Sequence, residues 1–188
     1  MEECVFFSLV GSNPYAVANS LTWFLQMKPE YSVRDLIFIC SREDSQRAIQ
    51  GTATHVPGIK KLIQENCLHL NLTAVNTINF SDDILTIPEA NLPEAAQLIS
   101  KAVLEQPSKT TILDITAGRK LMSSASVIAG VFLDKFQERR ILFYYYWLFK
   151  YTQDKLARKA YQLGFDAAET VIFEVKDILL SLSQLGGK

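Results

Sequence analysis

Residues 110–115 read TTILDI, and residues 116–120, which follow directly, read TAGRK. The first run is rich in β-branched residues, which is typical of a buried strand. The second run contains a glycine and two cations and breaks the strand. Residues 121–136 come next and are lined with small residues, which predicts a closely packed helix. A strand, a turn and a helix in this order form the repeating unit of a parallel α/β sheet.

The same unit recurs on both sides of this stretch. Further strands are predicted at residues 4–10, 36–40, 141–147 and 170–175, and further helices at residues 14–27, 56–68, 92–104 and 150–163. One edge strand is expected between residues 71 and 88. The sequence therefore predicts an α/β fold, a Rossmann-like and mostly parallel sheet with helices on both faces. Residues 1–150 would form this domain, and residues 151–188 would add a helix and a short strand packed on it or extending it.

Composition excludes several classes of function. The net charge is −1, so no basic field favours long nucleic acid as a partner. The three cysteines, Cys4, Cys40 and Cys67, are widely spaced and predict reduced, buried thiols rather than disulfides or a zinc site. The acidic N-terminus lacks the basic region of a signal peptide, and no apolar run is long enough to span a membrane. We expect a cytoplasmic protein with no membrane association, no metal and no cofactor.

Two turns are the candidates for chemistry. Residues 11–14 (GSNP) follow the first strand, and residues 116–120 follow the TTILDI strand. In an open parallel sheet, ligands bind beyond the carboxyl ends of the strands, where the strand order reverses. Each turn leads into a helix N-terminus, whose unpaired N–H groups favour phosphate.

Each turn also has a simpler interpretation. Residues 11–14 are consistent with an ordinary helix start in which Asn13 caps and Pro14 takes the first helical position. Residues 116–120 are consistent with an exposed turn bearing two solvated cations. Neither turn is a G-x-G-x-x-G or a P-loop motif, which disfavours a dinucleotide dehydrogenase and a P-loop NTPase.

The stretch from Asp114 to Ser123 (DITAGRKLMS) resembles the D-[ILV]-T-G-G-T-K-x-M-[ST] signature of CARF domains, the CRISPR-associated Rossmann-fold sensors. The positions that match in register include Asp114, Thr116, Gly118, Lys120, Met122 and Ser123. Ala117 and Arg119 stand where the signature has Gly and Thr, so a left-handed backbone at Ala117 would be strained. Ser12 and Asn13 fall where this family places its first ligand-binding loop.

The resemblance implies a homodimer that binds a cyclic oligoadenylate, with cyclic tetra-adenylate favoured, across its two-fold axis. Since no effector domain is apparent, it further implies a ring nuclease that ends type III CRISPR signalling. The ribose 2′-OH would attack the adjacent phosphorus without a metal and leave a 2′,3′-cyclic phosphate. Ser12 and Lys120 are the candidate catalytic residues. The candidate ligand-binding residues are Gly11, Asn13, Arg42, Thr116, Ala117, Gly118, Arg119 and Met122.

Other functions remain open on the sequence. The chain could be a non-catalytic sensor of the same ligand, or the sensor half of a longer effector that signals through a partner. It could also be a Rossmann-like enzyme acting on another nucleotide or a sugar phosphate. The predicted basic helix at residues 150–163 could cover the ligand or present a solvated face, and His55 and His69 are expected to be structural or surface residues.

Overall fold

A seven-stranded sheet forms the centre of the protein, and helices cover both of its faces. The computed structural model describes residues 1–80, 84–148, 158–163 and 168–177. Its strands are β1 (Glu2–Val10), β2 (Tyr31–Ser41), β3 (Asn79–Phe80), β4 (Leu85–Ile87), β5 (Thr110–Asp114), β6 (Arg140–Leu148) and β7 (Ala168–Glu174). Its α-helices are α1 (Pro14–Met27), α2 (Val56–His69), α3 (Leu92–Leu104) and α4 (Lys120–Phe136).

The strand order places β1 at the middle of the sheet. The order is β3-β2-β1-β5-β6-β7, with β4 also paired to β2, and every pairing is parallel except that of β6 with β7. The chain moves from β1 through α1 to β2 on one side, and from β5 through α4 to β6 on the other. The strand order therefore reverses between β1 and β5. The predicted α/β fold with a mostly parallel sheet is confirmed.

Side chains of β1 fill two cores, one on each face of the sheet. Cys4, Phe6 and Val10 lie in the core beneath α1 and α2, whereas Phe7 and Leu9 lie in the core beneath α3 and α4. A strand buried on both faces cannot alternate apolar with polar residues, which explains its continuous apolar run. Burying each of these large side chains contributes about 1.5–3 kcal/mol, so the central strand is firmly fixed.

Aromatic rings tie the α1 face to the centre of the sheet. The Phe6 ring lies 5.0 Å from the Phe24 ring, and Tyr144 meets both in edge-on contacts at 5.9 and 5.2 Å. Such pairs add about 0.5–1.5 kcal/mol to the burial of each ring. They connect β1, α1 and β6 at the middle of the sheet.

Most predicted elements are present, and a few differ. α1 and α3 have the predicted bounds, whereas β2 begins at Tyr31, five residues before the predicted start. The single edge strand expected between residues 71 and 88 is replaced by two short ones, β3 and β4, which pair with successive parts of β2. Among the described residues, no helix is both long and apolar enough to cross a membrane.

The predicted basic helix at residues 150–163 is wrong over the part that is described. Ala160–Gln162 form one turn of 3-10 helix, and residues 150–157 lie outside the described residues. Ala160 is buried between α1 and α2, and Lys159 pairs with Glu65 of α2. The described part of this segment therefore packs on the domain, and β7, which follows it, extends the same sheet.

Candidate functional site

A cleft of about 310 Å³ opens at the carboxyl edge of the sheet, where the strand order reverses. It takes its lining from four parts of the chain: the turn after β1, the first turns of α1, the turn after β5 and the end of β6. The lining residues are Ser12, Asn13, Ala16, Asn19, Thr116, Ala117, Tyr145, Tyr146, Trp147 and Leu148. We call this the switch-point cleft. Its position is the one at which open α/β sheets bind ligands.

The two turns singled out in the sequence touch each other at this cleft. A methyl group placed on Gly11 would overlap the carbonyl oxygen of Ala117. Glycine is therefore needed at residue 11 for the close approach of two backbones rather than for an unusual dihedral angle. Gly118 serves a similar purpose, since a side chain there would collide with Leu9 and would lie 2.9 Å from the Ser123 hydroxyl oxygen.

The backbone of the second turn is relaxed. Among the described residues, a positive φ occurs at Ala48, Asn71 and Glu138 and at no glycine. Ala117 is thus not left-handed, and the strain that its replacement of glycine would imply does not arise.

Asn13 caps α1, as the sequence predicted. Its side-chain oxygen accepts hydrogen bonds from the backbone N–H groups of Tyr15 at 3.0 Å and Ala16 at 3.4 Å. Pro14 follows in the first turn of the helix and has no N–H to offer. Since two amides of the first turn are already bonded, this helix end offers fewer donors for a phosphate than an uncapped end.

A fully buried carboxylate lies directly below the cleft. Asp114, the last residue of β5, accepts a hydrogen bond from the Ser8 hydroxyl at 2.9 Å and another from the backbone N–H of Thr116 at 3.0 Å. Burial raises the pKa of this carboxyl to about 6, although hydrogen bonds from Thr116, Ser20 and Ser8 oppose the shift. The carboxylate of Asp114 therefore lies among neutral hydrogen-bond partners.

Thr116 connects that carboxylate with the walls of the cleft. Its hydroxyl oxygen accepts from the backbone N–H of Tyr146 at 2.9 Å and lies 3.0 Å from the Ser20 hydroxyl of α1. The Tyr144 hydroxyl donates to the Ser20 carbonyl oxygen at 3.1 Å. The turn after β5, the helix α1 and the strand β6 are thereby held by one polar network.

Several predicted site residues lie elsewhere. Lys120 begins α4 with an exposed side chain and does not line the cleft. Arg119 turns toward the β2 side, where it pairs with Glu89 at 2.6 Å and donates to the Gln50 carbonyl oxygen at 3.4 Å. Met122 is fully buried in the core beneath α3 and α4 and reaches no solvent-facing surface.

Arg42 lies in a second, polar depression of about 590 Å³ beyond the ends of β2 and β4. Its guanidinium pairs with Glu94 at 3.2 Å, and the neighbouring Arg47 pairs with Asp44 at 2.6 Å. The structure therefore brings Gly11, Ser12, Asn13, Thr116 and Ala117 together at the switch-point cleft and places Arg42 outside it.

The cleft itself is lined by neutral polar and aromatic groups. Its described lining contains hydroxyls, amides and tyrosines but no Lys, Arg, His, Asp or Glu. Within the described parts of the chain, no cluster of three or more His, Cys, Asp or Glu is placed to hold a metal ion. Such a lining can hold a ligand through hydrogen bonds and apolar contacts.

Sequence reasoning missed two contributors to the cleft. Asn19 donates to the carbonyl oxygen of Arg158 at 2.8 Å and accepts from Asn66 at 3.2 Å, so it joins the cleft to the segment at residues 158–163. The end of β6 supplies Tyr146 and Leu148. Parallel strands end at one edge of the sheet, so the end of the predicted 141–147 strand could have been recognised as part of the cleft. No feature of the sequence marked Asn19.

The fold is that of a Rossmann-like α/β protein, and a cleft opens at its topological switch point. No family model matches the chain, and no curated protein matches it. The resemblance of residues 114–123 to the CARF signature is therefore the basis on which a particular ligand is proposed below.

Proposed function

We propose that the switch-point cleft binds a cyclic oligoadenylate, with cyclic tetra-adenylate favoured, across a homodimer, and cleaves it without a metal. The observation that supports this best is the direct contact of the two turns at one cleft. Gly11 meets Ala117 there, and Ser12, Asn13 and Thr116 present polar groups to the same space. The family that the second turn resembles uses the equivalent turns for this ligand. The reaction would switch off type III CRISPR signalling.

The size of the cleft favours binding by two copies. A volume of about 310 Å³ is at the lower end of the range for small-molecule pockets and suits part of a cyclic oligonucleotide rather than the whole ring. A ring with even symmetry can present the same groups to each half of a two-fold dimer. Two clefts facing each other would then share one ligand.

Exposed apolar side chains offer a surface for such a dimer. Ile128, Phe132 and Phe136 recur at four-residue intervals along α4, and each is at least two-fifths exposed. Tyr145 and Val171 are exposed on neighbouring positions of β6 and β7. Exposed apolar side chains that lie beside one another are commonly buried between subunits. Tyr145, which lines the cleft, and its neighbour Val171 support a homodimer in which the clefts face each other.

The proposed cleavage relies on positioning. The ribose 2′-oxygen attacks the adjacent phosphorus, the bond from phosphorus to the 5′-oxygen breaks, and the 5′-oxygen takes a proton from water as the 2′-OH releases one. Ser12, whose exposed side chain lies at the cleft, would orient the 2′-OH or a phosphate oxygen. Lys120, exposed at the start of α4, would stabilise charge on phosphate groups lying outside the cleft. Since no carboxylate or histidine lines the described cleft, we expect slow turnover.

A non-catalytic sensor is the second candidate, and a specific observation favours it. The cleft has a neutral lining, and the one cation that the CARF resemblance assigns to catalysis, Lys120, lies outside that lining. Such a protein would bind the ring, and the bound ring would alter the protein surface through which it signals to a partner. Both candidates share the same ligand and the same cleft.

Incubation with cyclic tetra-adenylate, and separately with cyclic hexa-adenylate, in EDTA distinguishes the two. Linear products ending in 2′,3′-cyclic phosphate, resolved by chromatography and mass spectrometry, would establish cleavage. An intact ring that co-elutes with the protein would establish a sensor. Binding of neither ring would overturn the proposal.

A further inference from the structure

The buried carboxylate below the switch-point cleft has no structural need for a charge. Asp114 is fully buried and makes no ion pair with any residue that the structure describes. Its hydrogen-bond donors, which are the Ser8 and Ser20 hydroxyls and the N–H and hydroxyl of Thr116, are all neutral. Burial of an unpaired carboxylate is costly, and an asparagine of the same shape would avoid that cost.

The two carboxylate oxygens have different freedom to accept a proton. Oδ1 faces the backbone N–H of Thr116, which can only donate. Oδ2 faces the Ser8 hydroxyl, which can reverse and accept. A neighbouring hydroxyl rather than the N–H therefore accommodates a proton on the carboxyl, and the Thr116 N–H is left with a neutral and weaker acceptor.

A weaker hydrogen bond from the Thr116 N–H to Asp114 also affects the walls of the cleft, because Thr116 is bonded to them. The Thr116 hydroxyl oxygen holds the backbone N–H of Tyr146 at 2.9 Å and contacts Ser20 of α1 at 3.0 Å. Thr116 and Tyr146 both line the cleft. A change in the hydrogen bond at Thr116 is thus transmitted to two of its walls.

The geometry points to Asp114 as the positioning residue of the switch-point cleft, whose protonation resets the turn after β5 through Thr116. The groups that face it are Ser8 on β1, Ser20 on α1, Thr116 in the turn and Tyr144 on β6, whose own pKa the carboxylate helps to raise. Burial raises the pKa of Asp114 to about 6, so the change in protonation is centred near pH 6. Asp114 acts through Thr116 and does not touch the ligand.

Protonation also removes a negative charge from below the cleft. An anionic ligand then binds better to the protonated form, and by linkage its binding drives proton uptake. This part of the inference rests on the proposed function, since it requires a phosphate-bearing ligand. For a tenfold preference and a pKa of about 6, affinity would be about sixfold weaker at pH 7.5 than at pH 5.5.

The first measurement follows backbone amides of the free protein by NMR between pH 5 and 8. The Thr116 and Tyr146 amides are expected to titrate together with a midpoint near 6, and Asp114→Asn should abolish the titration while keeping both resonances. Asp134→Asn, on the outer part of α4, is the matched control and should leave it unchanged. Flat Thr116 and Tyr146 amides in the wild-type protein, or an unaltered titration in Asp114→Asn, would overturn the positioning role.

The second measurement is the affinity for cyclic tetra-adenylate at pH 5.5 and pH 7.5, for the wild-type protein and Asp114→Asn. A several-fold loss at the higher pH, confined to the wild-type protein, supports the coupling. Equal affinities at both pH values would overturn the coupling but leave the proposed function standing. Absence of binding at either pH, with the amide titration intact, would overturn the proposed function but support the positioning role.

Discussion

Replacing Asp114 with asparagine should remove most of one pH-dependent contribution to the stability of this protein. The carboxyl pKa is about 6 in the folded state, against an ordinary value of 3.8. At 1.36 kcal/mol for each pKa unit, the ionised carboxylate destabilises the folded state by about 3 kcal/mol. Between pH 4 and 6 the folded protein binds the proton that the unfolded chain has released, so this contribution to stability falls as pH rises through that window.

The expected size of the effect follows from these two pKa values. The wild-type protein should gain about 1.4 kcal/mol between pH 8 and pH 5 from this group alone. For a chain of this length, that corresponds to about 3–6 °C in melting temperature. Asp114→Asn keeps an oxygen for the Thr116 N–H but has no charge, so it should lack this gain whatever its absolute stability.

Urea unfolding at pH 5, 6, 7 and 8 measures the effect, with the difference between wild type and variant as the quantity of interest. Other titrating groups contribute equally to both proteins and cancel in that difference. Asp134→Asn should run parallel to the wild-type protein. Parallel curves for Asp114→Asn as well, within about 0.5 kcal/mol, would show that the buried carboxyl titrates normally and that the reasoning is wrong.

Three further predictions concern the turns and the helix start. Gly11→Ala should destabilise the protein by about 1–3 kcal/mol and reduce ligand affinity, because the added methyl group overlaps the Ala117 carbonyl oxygen. Thermal melts and binding assays would measure the two effects. An unchanged melting temperature would contradict the close approach of the two backbones. Asn13→Ala should cost about 1 kcal/mol through loss of the α1 cap, seen in urea unfolding, and no loss would mean that the cap contributes nothing. In ring-cleavage assays, Ser12→Ala should reduce the cleavage rate by about a hundredfold and binding by less. Lys120→Ala should impair both binding and cleavage. Lys120→Ala with normal binding and cleavage would remove that residue from the site.

Local signals in the sequence determined the elements that were predicted correctly. α1 begins where Asn13 caps and Pro14 fixes the first turn, and α3 begins at the equivalent Asn91, which caps through the Glu94 N–H. Caps and helical spacing involve residues close together in sequence, so they can be read without a structure. The bounds of these two helices were therefore predicted to the residue.

Elements that depend on distant partners were harder to predict. β3 and β4 have two and three residues, and each exists because β2 offers it a parallel partner. Four of the first five residues of β2 are half-buried and only Val33 is buried, and these residues extend the strand because Glu2–Cys4 of β1 pair with Tyr31–Val33. Neither signal is present in the local sequence.

The candidate site was predictable in its turns and not in its side chains. Strand ends and glycines located both turns, but a signature does not say where each side chain points. Helix geometry does say so for Met122, which lies three residues before Ala125 and seven before Ala129 and shares their buried face. The ion pair that holds Arg119 depends on Glu89, thirty residues away, and only the fold reveals it.

The antiparallel pairing of β7 with β6 has a practical consequence for anyone who shortens this protein. All seven residues of β7 pair with positions 142–148 of β6, the strand whose end forms a wall of the cleft. A chain cut near residue 150 would turn β6 into a bare edge strand with the sequence ILFYYYWL. Apolar, aromatic edges of this kind template intermolecular pairing and amyloid-like assembly. β7 therefore protects β6 from intermolecular strand pairing. Expression of residues 1–150 alone should yield insoluble protein.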